Sequence, residues 1–159
     1  MWLTKFHLEL LRKFNQRSAK YLVIGGHAAL LYGSERTTGD LDILVEPTKA
    51  NGERIMHAFN DLALEVGDLV SGDFESPLVL SFGFEPDGVD LINYLKGFDV
   101  DLAFNNAKPF QFDQDVFAPV IDAIDLLVIK QKLNREGKKG LTDQIDILSL
   151  IKYLEIQKS

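Results

Sequence analysis

The chain has no cysteine. That excludes disulfides, thiolate metal sites and a cysteine nucleophile. No apolar run approaches the roughly 18 to 20 residues needed to span a bilayer, so no membrane partner is expected. No Gly-x-Gly-x-x-Gly fingerprint occurs, which leaves dinucleotide binding without support. The three histidines, His7, His27 and His57, are scattered, with no zinc spacing and no Ser-His-Asp order. Positive charge is also scarce: 17 Lys and Arg stand against 24 Asp and Glu, for a net charge of −7. A broad electrostatic grip on nucleic acid is therefore disfavoured. The local exception is Lys130, Lys132, Arg135, Lys138 and Lys139, which read either as a solvated helix end or as an acceptor platform. The stretch MWLTKFHLELLRKF is charged throughout and lacks the apolar core and cleavage site of a signal peptide. A cytoplasmic location is the expectation.

What is present is enough for one globular domain. A chain of 159 residues with 46% hydrophobic and 26% charged residues can build a real core. It contains no internal repeat and no long linker. The pattern predicts a single domain over 1–159, with a core over 21–120 and C-terminal helices over 122–157. Helices are expected at 3–17, 27–33, 48–63 (opening at Thr48), 99–105, 122–136 (capped by Asp122, stopped by Gly137) and 142–157 (capped by Thr142). Strands are expected at 21–25, 41–45, 77–84 and 89–95, the last two joined by a Glu85-Pro86-Asp87-Gly88 turn. Residues 64–76 read as loop, and 110–120 as a short strand with loops. The fold class is α/β: a small mixed sheet flanked by helices, with a C-terminal helical part.

The densest signal lies in Tyr21–Val45. A hydrophobic strand ends in Gly25-Gly26, and after thirteen intervening residues Asp40-Leu41-Asp42 opens a second strand. Side chains two apart on a strand share a face, so Asp40 and Asp42 project together, about 7 Å apart. Two such carboxylates can hold a hard divalent cation, and a glycine turn before a helix can offer N–H groups to phosphate. The plainer alternative is that both acids sit at an exposed strand end. Asp90 lies within the apolar run Val89-Asp90-Leu91-Ile92, where aspartate is disfavoured, and is the third candidate. Asp99, Asp101 and Asp87 read as cap and turn residues. Arg36 is placed to reach phosphate or to pair with Glu35 or Asp40. Lys130 lies beside the apolar stripe of its helix, where a lysine either snorkels or aims into a site. His27 either lines the site or packs, while His7 and His57 read as helix surface.

The pattern Gly25, Gly26, Ala28, Tyr32, Gly33, Arg36, Thr38, Asp40 and Asp42, followed by the Asp90 strand, resembles the polymerase-beta-like nucleotidyltransferase superfamily. Within it the pattern resembles a small bacterial branch similar to the nucleotidyltransferase toxins of abortive-infection systems. The resemblance covers about residues 21–152 and extends to Lys130, Arg135, Asp143 and Asp146 in the C-terminal part. The superfamily often has Gly-Ser at the turn, where this chain has Gly26-His27; Ser34 is another hydroxyl nearby. The spacing from Arg135 to Asp143 is longer than in relatives, and Lys138 and Lys139 stand as alternatives to Arg135.

The resemblance implies metal-dependent nucleotidyl transfer from a nucleoside triphosphate. Asp40, Asp42 and Asp90 would bind Mg²⁺ or Mn²⁺. Gly25, Gly26, Arg36, Thr38 and Lys130 would contact the nucleotide, and Asp143 would join the catalytic group. An RNA, with tRNA first, or a protein would be the acceptor, in a toxin-like role with a cognate antitoxin as a further partner. The alternatives are a non-catalytic nucleotide- or partner-binding module of the same fold, and nucleotidylation of a small molecule such as an antibiotic.

Overall fold

Local sequence sets most element ends. In the computed structural model, which describes residues 3–158, Thr4 caps α1 (Lys5–Gln16) by accepting from the His7 N–H at 3.2 Å, and the His7 ring accepts the Thr4 N–H at 3.3 Å. Met1, Trp2 and Ser159, which the single-domain reading included, lie outside the described residues. β1 (Tyr21–Ile24) runs into α2 (Gly25–Leu31), and β2 spans Leu41–Val45. Thr48 caps α3 (Lys49–Asp61), accepting from the Asn51 N–H. A single 3-10 turn at Ser71–Glu75 interrupts the expected loop. β3 (Val79–Phe82) and β4 (Val89–Ile92) flank the Pro-Gly turn, Asp99 caps α4 (Val100–Asn106), and β5 (Lys108–Asp113) and β6 (Val116–Val120) form a second hairpin. Asp122 caps α5 (Ala123–Leu133), and α6 covers Gly137–Gln157.

The six strands form one mixed sheet in the order β3-β4-β2-β1-β6-β5. β1 and β2 are antiparallel, β2 and β4 parallel, and β1 and β6 parallel. The α/β class and the small mixed sheet with flanking helices are as expected from sequence. Alternation divides the sheet into two faces. On one, Phe82 packs edge-on against Phe6 of α1 and Phe59 of α3, and Phe14 packs on Phe59. On the other, Ile24, Asp42, Asp90 and Ile92 look toward α5 across a cavity. Among the described residues, no helix is long and apolar enough to cross a membrane.

Several boundaries differ from expectation for physical reasons. The segment 110–120 holds two paired strands, which its prolines conceal. Pro109 and Pro119 are cross-strand partners, and a proline has no N–H to give, so the two suit a position where the hairpin asks for no bond between them. The 122–136 helix ends at Asn134 in the left-handed conformation (φ 46°, ψ 48°), not at Gly137. Gly137 instead opens α6, so Thr142 is not its cap. The Thr142 hydroxyl lies within the helix and donates to the Lys139 carbonyl at 2.8 Å. The resulting α5–α6 turn is only Asn134–Glu136, and it folds α6 straight back along α5. His7, expected on a surface, is fully buried.

Asn93 fastens the end of β4 to the long loop before β3. Its carbonyl accepts the Leu78 N–H at 2.7 Å, and its amide donates to the Phe74 and Ser76 carbonyls at 2.9 and 2.8 Å. Asn93→Ala strands these buried groups and is expected to cost about 2 kcal/mol in urea unfolding. A loss below about 0.5 kcal/mol, the range of an ordinary surface substitution, would show that the loop is held by packing alone.

Candidate functional site

The register of the central strands brings two acids together. Asp42 of β2 and Asp90 of β4 are direct partners in a parallel pair, so their side chains emerge side by side from one face, about 4.8 Å apart at the backbone. The Ser81 hydroxyl, on the neighbouring β3, donates to Asp90 Oδ1 at 2.6 Å. Asp42 receives the backbone N–H of Gly26. Gly25 has φ +68°, and any Cβ there would run into the Asp42 carboxylate; a Cβ on Gly26 would lie 2.5 Å from Thr38 Oγ1 and 2.6 Å from Arg36 Nη2. The Gly-Gly pair is thus required by what presses on it from both sides.

Burial, and next the charge of Asp90, push the Asp42 carboxyl up to about 6, against smaller opposing effects from the Gly26 N–H and Lys130. Asp42 holds its negative charge at a cost in this fold. A cation in front of it would relieve that cost.

The cavity these acids border has a volume of about 350 Å³. Its floor is Ile24, Gly25 and the acid pair, and its opposite wall is Leu126, Ile129, Lys130 and Leu133 of α5, with Arg135 at the turn. Tyr94 and Lys96 complete the rim. Sequence reasoning missed these two, which with Leu95 lie just past the end of β4.

Lys130 is 5% exposed and points inward, not to solvent. Its ammonium lies 2.9 Å from Asp143 Oδ1 and 3.0 Å from Asp146 Oδ2. Arg135 binds the same Asp143, with Nε at 2.7 Å from Oδ2 and Nη2 at 2.5 Å from Oδ1. Arg36 grips Asp146 in the same two-toothed way, with Nε and Nη2 at 2.8 and 2.9 Å, and Ser34 donates to Asp146 at 2.9 Å. Burial alone would raise both aspartates, but the bonds from Arg135 and Lys130 to Asp143, and from Arg36 and Lys130 to Asp146, hold them below the ordinary carboxylate value. These acids do not sit in a first helical turn, where the sequence placed them; they lie further along α6 and are held by cations.

The expected site residues therefore divide. Gly25, Asp42, Asp90 and Lys130 border one cavity. Asp40 is exposed and lies against the backbone of Gly88, outside that wall. Arg36 pairs with Asp146 rather than with Glu35 or Asp40, Thr38 packs on Gly26, and Asp143 lies behind Lys130. Lys138 and Lys139 are exposed on α6, and Arg135 itself takes the position they stood as alternatives for. His27 is fully buried with its ring edge-on to His7 at 5.9 Å, so it packs and does not line the cavity. Among the described residues, no three His, Asp or Glu side chains form a ready metal cluster; the donor set in place is the Asp42–Asp90 pair.

Two stability measurements test this geometry. Removing the Lys130 ammonium leaves two buried carboxylates short of a partner, so Lys130→Met is expected to lose about 3 kcal/mol at pH 7. For Asp42 the folded-state value lies above the ordinary carboxylate value of 3.8. Between 3.8 and about 6 the folded form keeps a proton that the unfolded chain has lost. Stability on this account falls as pH rises through that window and stays lowered above it. Asp42→Asn removes the effect and should raise stability by about 2 kcal/mol at pH 8 and by almost nothing near pH 3.5. Equal effects at both pH values would show that Asp42 is not strained by ionisation. A scan against protein-family models finds no match for this chain, and a search of curated proteins finds no significant relative.

Proposed function

We propose that the protein transfers a nucleotide from a metal-bound nucleoside triphosphate to a hydroxyl of an RNA, tRNA first, or of a protein. The observation that carries this reading is a single cavity with an acid pair, Asp42 and Asp90, on one wall and two cations, Lys130 and Arg135, on the other. A triphosphate with its divalent ion has the matching pattern of charge.

The donor set suits Mg²⁺ or Mn²⁺: two hard carboxylates one strand apart, one of them costly to ionise without a cation. When bound, such an ion would neutralise charge on the phosphoryl oxygens and hold attacking and leaving oxygens in line. Asp42 and Asp90 would hold it. Asp40, which lies beside Gly88 just ahead of β2 and raises Asp42 by its charge, would supply a third oxygen. Asp90, fixed by Ser81, would orient the acceptor hydroxyl and take up its proton. Lys130 has two of its three N–H groups on Asp143 and Asp146, leaving the third for phosphate. Arg135 likewise keeps Nη1 clear of Asp143. Asp143 would act through these two cations and not on the substrate. The apolar wall of Leu126, Ile129 and Leu133, with Tyr94 at the rim, would receive the base.

An anionic acceptor fits the exposed Lys138 and Lys139, which carry positive charge on past Arg135. A toxin-like role with a cognate antitoxin rests on the sequence resemblance alone. A second reading, nucleotide binding without catalysis, is favoured by one observation: Asp40 is exposed and does not line the cavity that Asp42 and Asp90 border.

The test is transfer from α-labelled ATP, CTP, GTP and UTP to total RNA and to protein, with Mg²⁺ or Mn²⁺. Labelling is expected with wild type and should drop at least ~100-fold with Asp42→Asn or Asp90→Asn. Mn²⁺–triphosphate binding without labelling would favour the non-catalytic reading or a small-molecule acceptor. Absence of both labelling and Mn²⁺–triphosphate binding would overturn the proposal.

A further inference from the structure

Helix α6 is built inside out. A surface helix ordinarily buries its apolar stripe and exposes its charges. Here the fully buried positions are Asp143, Asp146 and Leu150. The large apolar side chains point outward: Leu141 and Leu148 are each 68% exposed, Ile156 59%, Ile145 44% and Ile151 37%. Positions 141, 145, 148, 152 and 156 follow one another at helical spacing, so most of these side chains form a continuous stripe about 22 Å long. The stripe borders a groove whose far wall is Tyr32, Gly33 and Glu35, with Tyr153 of α6 also lining it.

We infer that this face of α6 docks a second copy of the chain, the two helices running antiparallel about a two-fold axis. The argument for a second copy is the charge of the groove. It carries one carboxylate, Glu35, and one ammonium, Lys152, and neither forms an ion pair among the described residues. An anionic surface such as nucleic acid or lipid would meet Glu35 unfavourably, and a cationic partner would meet Lys152. A two-fold copy satisfies both, because Lys152 of each protomer can face Glu35 of its partner. The same operation lays stripe against stripe, covering Leu141, Ile145, Leu148 and Ile156 on both copies. The cavity with Asp42 and Asp90 lies on the opposite side of α6, beyond Asp143 and Asp146, so the pairing leaves it open.

Sedimentation velocity of the full chain over a dilution series tests this. Wild type is expected to be a dimer at the upper end of the series. Leu148→Lys and Leu141→Lys should each raise the dissociation constant at least about 30-fold, with an unchanged circular dichroism spectrum. Glu35→Lys and Lys152→Glu should each weaken the dimer, and the double exchange should recover it. A wild-type monomer at every concentration overturns the inference, as does a dimer that survives both leucine substitutions. Single charge variants that weaken the dimer without recovery in the double exchange overturn the antiparallel pairing.

Discussion

Lys130 sits between α5 and α6 with its ammonium on Asp143 and Asp146 together, and much of the molecule depends on that buried contact. Two helices in a small domain ordinarily meet through interlocking aliphatic side chains. Here the central contact is ionic. Arg135 closes on Asp143 from the α5–α6 turn, and Arg36 closes on Asp146 from the loop before β2. One cluster thereby ties the C-terminal hairpin to the segment that delivers Asp40 and Asp42. Desolvating such charges costs several kcal/mol per ion, which only dense and well-aimed bonding offsets. That bonding is present: Asp146 accepts from Arg36 twice, from Ser34, and lies against Lys130. An apolar seam would hold α6 as well. What it would not do is set the direction of Arg36 and Arg135, and that is what the ionic seam adds.

The strand alternation that made Asp42 visible in the sequence also explains its strain. Leu41, Ile43, Leu44 and Val45 are wholly buried, so β2 is covered on both faces and Asp42, half-buried at the cavity, shares part of that cover. The fold keeps an acid there against its own stability, and it lines up a second, Asp90, beside it. Positions that oppose stability while every neighbour supports it are the mark of a functional site. By the same standard Asp143 and Asp146 are not such positions. Each is fully bonded, and each is held below the ordinary carboxylate value.

What could be read from sequence was what is local. The bounds of β2, the caps Thr48, Asp99 and Asp122, and the turn before Asp90 all follow from residues a few positions apart. The adjacency of Asp42 and Asp90 required only that two short strands pair side by side. The partners of Lys130 and Arg36 were hidden, because Asp146 is 110 residues from Arg36 and no periodic pattern links them. The second hairpin was hidden by two prolines that ordinarily argue against a strand. His7 was hidden by its neighbours. In a charged helix it reads as surface, yet its ring accepts from Thr4 on one side, so the other nitrogen carries the proton and donates to the Gly88 carbonyl at 2.9 Å. That carbonyl also accepts the Leu41 N–H at 2.9 Å. The residue thus braces the backbone between Asp40 and Asp90, a role visible only when α1 is placed against the sheet.

Charge balance across the cavity links these features. Arg36, Lys130 and Arg135 set three cations against the two carboxylates of Asp143 and Asp146, a surplus of one positive charge on the helical side. The strand side carries Asp42 and Asp90, with Lys96 out at the rim. The two sides do not cancel, and they stand apart on opposite walls of one space. A simple anion would relieve the cations and worsen the acids; a simple cation would do the reverse. A ligand that carries both signs in order, a cation at one end and phosphates at the other, relieves both. The buried ion cluster is what holds the positive surplus in place, since Asp143 fixes Arg135 on that wall and Asp143 and Asp146 together fix Lys130.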